Sequence, residues 1–99
     1  MTPSQARAGR ALLDWSQTRL AKESGLGLST IVDYEKQRRH ISEIARNLIR
    51  EALVDAGIIF IDPNGEGPGV RLRKENFEAD VAERASKALR AIKSKDEKA

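Results

Sequence analysis

The spacing of apolar residues divides the chain into a helical part up to residue 57 and a part of different character beyond it. The plainest helix follows Ser42, a natural cap. Ile41, Ile44, Ala45, Leu48, Ile49, Ala52, Leu53 and Ala56 recur at steps of three and four, and Gly57 ends the run. Upstream, Thr2-Pro3-Ser4-Gln5 combines a capping threonine, a proline suited to the first turn and the glutamine of a capping box. That predicts a first helix to about Leu13, weakly amphipathic through Ala6, Gly9, Ala11, Leu12 and Leu13. Ser16 caps a second helix, Gln17 to Ser24, with Leu20 and Ala21 inward, and Gly25 stops it as a left-handed residue. A third helix is expected from Leu28 to Glu35 or slightly beyond, with Ile31 and Tyr34 on its inner face.

Beyond Gly57 the period changes from helical to alternating. "IIFID", the turn-forming "PNGEGPG" and "VRLR" predict a β-hairpin with a loop of about seven residues. A two-stranded hairpin is marginal alone, so it has to pack on helices or pair with another chain. Asn76 to about Lys93 reads as a fifth helix with Phe77, Val81, Ala85, Ala88, Leu89 and Ile92 on one side, and "KSKDEKA" as a frayed end. The expected organisation is a helical domain at 1–57, a hairpin extension at 58–74 and a C-terminal helix with tail at 75–99.

Composition narrows the class without naming it. Ninety-nine residues with 39% hydrophobic and 33% charged side chains suit one small, polar-surfaced globular domain. Cysteine is absent, which removes disulfides and thiolate metal sites. Neither a signal peptide nor a membrane-length apolar run stands in the sequence, so a cytoplasmic location is the default expectation, with no membrane partner. The net charge is only +3, and residues 1–57 hold nine basic against seven acidic residues. The local cluster Lys36-Gln37-Arg38-Arg39-His40 is more informative, because phosphate contacts need grouped cations; the same residues could equally be a solvated helix end.

The two glycines of "SGLGLSTIVDYE" pose the main chemical question. A dinucleotide loop needs a preceding strand and a third glycine, and a P-loop needs Gly-Lys-Ser/Thr; neither pattern is present. Two helices crossing through a short turn need a small residue at the close approach, a glycine at the turn and shared apolar contacts. Ala21, Gly25, Leu20, Leu26, Ile31 and Tyr34 meet those demands in one window.

"SQTRLAKESGLGLSTIVDYEKQRR" resembles the Cro/CI-type helix-turn-helix of the xenobiotic-response-element (XRE) family of bacterial and phage regulators. "AGIIFIDPNGEGPGVRLR" is similar to an extension found in short stand-alone α-proteobacterial members. The resemblance implies a mainly α, lambda-repressor-like bundle of four to five helices, with the short β-hairpin before the C-terminal helix, usually dimeric on operator DNA. On that resemblance residues 1–57 are the helix-turn-helix DNA-binding domain. It implies that Gln17 bonds a DNA phosphate and that Leu28, Ser29, Thr30 and Asp33 lie near base edges. Lys36, Arg38 and Arg39 would follow the backbone, and Arg10 and Glu35 match a pair that braces the first helix to the recognition helix. Chemically, Ser29 and Thr30 can donate or accept, Asp33 can accept from a cytosine amino group, and Leu28 can meet a thymine methyl. Capping, solvation and core packing are the alternatives for these positions; Trp15 and Tyr34 fit the core. Three departures from the family stand out: Gly27 occupies the place of a hydroxyl cap, Gln37 the place of a helix-ending glycine, and Leu28 a place often held by a polar reader.

These readings point to a transcriptional regulator, a repressor or autorepressor, acting as a homodimer on a palindrome through helix 28–36. The alternative is an antitoxin-like module whose C-terminal helix holds a partner protein. Ile59 and Ile61 of the hairpin and Phe77, Val81, Ala85, Leu89 and Ile92 of the last helix are the candidates for dimer or partner contact. No enzyme, cofactor or metal site is expected: His40 is the only histidine and has neither a second ligand nor a nucleophile pattern beside it.

Overall fold

The computed structural model describes residues 1–98, with side chains as far as Ile92. Five helices and a two-stranded antiparallel hairpin follow in the order α1 (Pro3–Leu12), α2 (Gln17–Ser24), α3 (Leu28–Glu35), α4 (Glu43–Asp55), β1 (Ile58–Ile61), β2 (Gly69–Leu72) and α5 (Lys74–Lys98). The fold is a mainly α helix-turn-helix bundle with the hairpin before its last helix.

Local chemistry sets each helix start. Thr2 Oγ1 accepts from Gln5 N at 3.1 Å while Gln5 Oε1 accepts from Thr2 N at 2.8 Å, the reciprocal bonds of a capping box. Ser16 and Ser42 cap α2 and α4 by accepting from the backbone N–H of Arg19 and Ala45. The helices then close over a core whose centre is Leu20, Ile31, Ile49, Leu53 and Ile58. Ile58 belongs to β1, so the hairpin seals the bundle, lying on α1 and α4.

Gln5 has a second duty that its capping role conceals. Its side-chain amide donates to the carbonyls of Gly69, at 2.9 Å, and Ile61, at 3.4 Å. One buried amide therefore ties the start of α1 to the loop end of the hairpin, where Ile61 pairs with Gly69. On the far side, Arg50 stacks over Phe60 with its guanidinium carbon 5.2 Å from the ring centre.

Two expectations for helix faces need correction. Ile44 and Leu48, expected inward, are exposed, Ile44 by 73%. The buried stripe of α4 runs through Ala45, Ile49, Ala52 and Leu53, and Ile44 falls about 120° from its centre at 100° per residue. Leu12, also expected on an inner face, is exposed because Gln5, Ala6 and Gly9 form the buried face of α1. The last helix differs too: α5 begins at Lys74, two residues before the expected start, and continues to Lys98 through most of the segment expected to fray. Ala99, the last residue of that segment, lies outside the described residues. No helix among the described residues is long and apolar enough to cross a membrane.

The departure of α5 is fixed at the end of α4. Arg73 N donates to Gly57 O at 2.8 Å, the Arg73 guanidinium to Val54 O at 3.2 Å and the Asn76 amide to Ala56 O at 3.4 Å. These donors satisfy carbonyls that a helix end leaves unpaired. Gly57 makes the approach possible: its φ is +115°, and a Cβ there would stand 2.6 Å from the Asn76 side chain. Gly57→Ala is expected to cost about 1–3 kcal/mol in a urea unfolding curve. Adding Asn76→Ala relieves the clash and leaves the backbone strain, so the double variant recovers only part of that loss. A Gly57→Ala variant as stable as the parent contradicts this account.

Candidate nucleic-acid interface

The turn between α2 and α3 answers the question posed by the paired glycines. Gly25 takes φ +75°, and the Gly25 and Leu26 N–H groups donate to Lys22 O and Ala21 O at 3.3 and 3.1 Å. This reversal ends α2 with its carbonyls satisfied. Gly27 then adopts an extended conformation and starts α3 without any side-chain cap.

The end of α3 repeats the same reversal with a different residue. Gln37 N donates to Tyr34 O at 3.2 Å and Arg38 N to Asp33 O at 2.9 Å, and Gln37 has φ +56°. A left-handed position that commonly takes glycine is thus occupied by glutamine, at a steric cost. The chain turns back here, and that turn delivers Arg39 to the face of α3.

Glu35 fixes the orientation of α3. Its side chain is buried, yet Arg10 donates to both carboxylate oxygens at 2.8 Å and Gln17 adds a donor at 3.2 Å. Arg10 also donates to Trp15 O at 2.9 Å, and Arg7 donates to the backbone carbonyl of Glu35 and to Ser4 Oγ. Helices α1, α2 and α3 are therefore joined by one charged network, in which both oxygens of the buried carboxylate have partners. Gln17, the expected phosphate contact, has its amide turned inward to Glu35. Sequence reasoning missed Arg7; its signal was the three-residue spacing from Arg10, which puts both on one side of α1.

The outer face of α3 brings together most of the expected readers. Leu28 and Ser29 are exposed, Leu28 by 46%, and Thr30 and Asp33 are half-buried beside them. Asp33 is not a bare acceptor: Arg39 Nε donates to its carboxylate at 2.7 Å, and Arg39 Nη2 lies 3.4 Å from Thr30 Oγ1. The guanidinium is thereby held across the face of α3 while its side chain stays half exposed to solvent. Lys36 and Arg38 are exposed just past the helix. Behind them an open cavity of about 510 Å³ lies between Met1, Tyr34 and the loop that follows α3. Among the described residues, Arg38, Arg39, His40 and Arg46 line it and no carboxylate does. Burial raises the Tyr34 phenol above its ordinary value, partly opposed by Arg46, and the hydroxyl donates to Met1 O at 3.3 Å. Trp15, half-buried, packs on the core with Arg19 stacked on its ring at 5.0 Å.

The candidates for dimer or partner contact do not share this face. Ile59 and Ile61 are partly exposed on the hairpin, and Phe77, Val81, Ala85, Leu89 and Ile92 are exposed along α5.

Comparison with known families agrees with the geometry. Residues 7–45, from within α1 to the first turn of α4, match a family model described as helix-turn-helix. The match supports DNA binding by this segment. No curated protein matches the chain.

Two stability measurements check the construction. Arg10→Ala strands a buried carboxylate and is expected to cost about 3 kcal/mol, whereas Arg10→Met with Glu35→Leu is expected to cost clearly less. Gln37→Gly relieves the left-handed strain and is expected to raise stability by up to about 1 kcal/mol. Denaturant unfolding reads both. A harmless Arg10→Ala, or a destabilising Gln37→Gly, contradicts the corresponding assignment.

Proposed function

We propose that the chain is a sequence-specific DNA-binding transcriptional regulator, a repressor or autorepressor acting as a homodimer on a palindromic operator. The observation that carries this reading is the exposed face of α3, where polar and cationic side chains stand on a helix braced from behind. An α-helix fits the major groove, and hydrogen-bonding groups on its outer face reach base edges. Two copies related by a two-fold axis would read half-sites about one helical turn, roughly 34 Å, apart.

Within that reading, Ser29 and Thr30 contact bases, Leu28 lies against a thymine methyl, and Lys36 and Arg38 meet phosphates. Arg39 and Asp33 depart from the roles that the family resemblance implied. Asp33 already accepts from Arg39 at 2.7 Å, so it serves to aim the guanidinium. Arg39 then presents its remaining donors to the O6 and N7 acceptors of a guanine.

Selection of bound sites from random duplexes tests these roles. Arg39→Ala is expected to abolish a guanine preference at one position of each half-site, and Asp33→Ala to weaken the same preference. Ser29→Ala should alter preference at a different position. Arg38→Ala should weaken binding to all sequences and reduce the salt slope by about 1. Site preferences unchanged by both Arg39→Ala and Ser29→Ala contradict the assignment of α3 as the reading element.

A further inference from the structure

The open cavity behind α3 gathers positive charge that its own walls do not neutralise. Arg38, Arg39, His40 and Arg46 line it, and among the described residues no carboxylate does. Arg39 has a counter-ion in Asp33, at 2.7 Å, which is not part of the lining. Arg38 and Arg46 have none among the described residues. Arg46 is half-buried, and a 2.7 Å bond from Nη1 to Ile41 O fixes its guanidinium at the cavity wall. Among the described residues that is the one bond its five donors make. Its charge also lies near enough to act on the Tyr34 phenol.

The rest of the lining is mainly apolar. Met1, Pro3, Ile41 and Tyr34 contribute to it, and Ile41 and Tyr34 belong to the core, so this part of the wall is firm. The volume of about 510 Å³ falls within the roughly 300–1,000 Å³ of ordinary small-molecule sites, which set a few polar groups in apolar walls. A bare phosphate would satisfy the cations and leave those walls uncovered.

We propose that this cavity binds a small organic anion, a carboxylate or phosphate group carried on a compact apolar body. Arg46 and Arg38 hold the anionic group, which guanidinium donors match in geometry, and the body lies against Tyr34 and Ile41. The loop that walls the cavity also carries Arg39 to the outer face of α3, so ligand and DNA draw on the same cations. A bound anion cancels charge that attracts DNA phosphates, and by linkage each lowers the affinity of the other by the same factor. That coupling rests on the DNA-binding reading above; binding of the anion to the free chain does not.

Calorimetric titration of the full chain without DNA tests the site, with phenyl phosphate and benzoate as probes. Saturable binding of at least one is expected, about tenfold tighter than inorganic phosphate or acetate, which carry the charge without the body. Arg46→Gln and Arg38→Gln should each weaken it about tenfold. Arg38 is exposed in a loop, so its variant separates loss of the site from loss of the fold. No saturable binding of either probe overturns the site, as does equal affinity for probe and bare anion, or binding unchanged in both variants. With a duplex recovered by selection, saturating probe should weaken DNA binding about tenfold. Unchanged DNA affinity overturns the coupling, whereas a chain that binds the probe and no DNA sinks the proposed function and leaves the site standing.

Discussion

The structure depends most on how one buried carboxylate is satisfied. Glu35 is 2% exposed, and an ionised acid at that depth is tolerated only when donors surround it. Arg10 of α1 and Gln17 of α2 supply them, and Arg7 takes the backbone carbonyl of the same residue. Because the three helices meet through hydrogen bonds of fixed geometry, α3 has less freedom to roll than apolar packing alone would leave it. Its outer side chains are therefore presented at a set angle. A brace of this kind contributes orientation more than stability, since an apolar replacement of similar volume can be as stable.

A second constraint works at the far end of the same helix. Gln37 bends the chain back at a positive φ, and the bend carries Arg39 to the carboxylate of Asp33. The outer face of α3 is thus built from two segments, a helix and the loop after it, rather than from helix positions alone. Elsewhere the fold uses ties of the same few-residue kind. Gln5 joins α1 to the hairpin, and Arg73 with Asn76 joins the hairpin exit to the carbonyl end of α4. Those ties set the point from which α5 leaves the body.

Much of this was legible in the residues. Thr2-Pro3-Ser4-Gln5, Ser16, Gly25, Ser42 and Gly57 are local signals, and the hydrogen bonds that start α1, α2 and α4 are made within a few residues. The hairpin was visible because alternation and turn residues also act over short distances. What escaped depended on contacts between segments far apart in sequence. Gln5 bonds Gly69 and Arg7 bonds Glu35, and spacing along the chain names neither partner. Ile44 and Leu48 misled for a related reason: apolar period marks a helix but cannot say how much of its circumference the neighbours cover. At the site, Arg39 was legible as a cation and Asp33 as an acid. Their pairing was not, because it follows from the left-handed turn at Gln37, a position where glycine would have announced the bend.

The central claim is that the face of α3 and the loop after it meet DNA. The most direct measurement is an amide chemical-shift titration of the chain with a duplex recovered by selection. The account predicts that the largest changes fall within residues 28–40 and that the side-chain Nε–H signal of Arg39 shifts with them. Changes confined to α5 and the hairpin, with residues 28–40 unmoved, would contradict it.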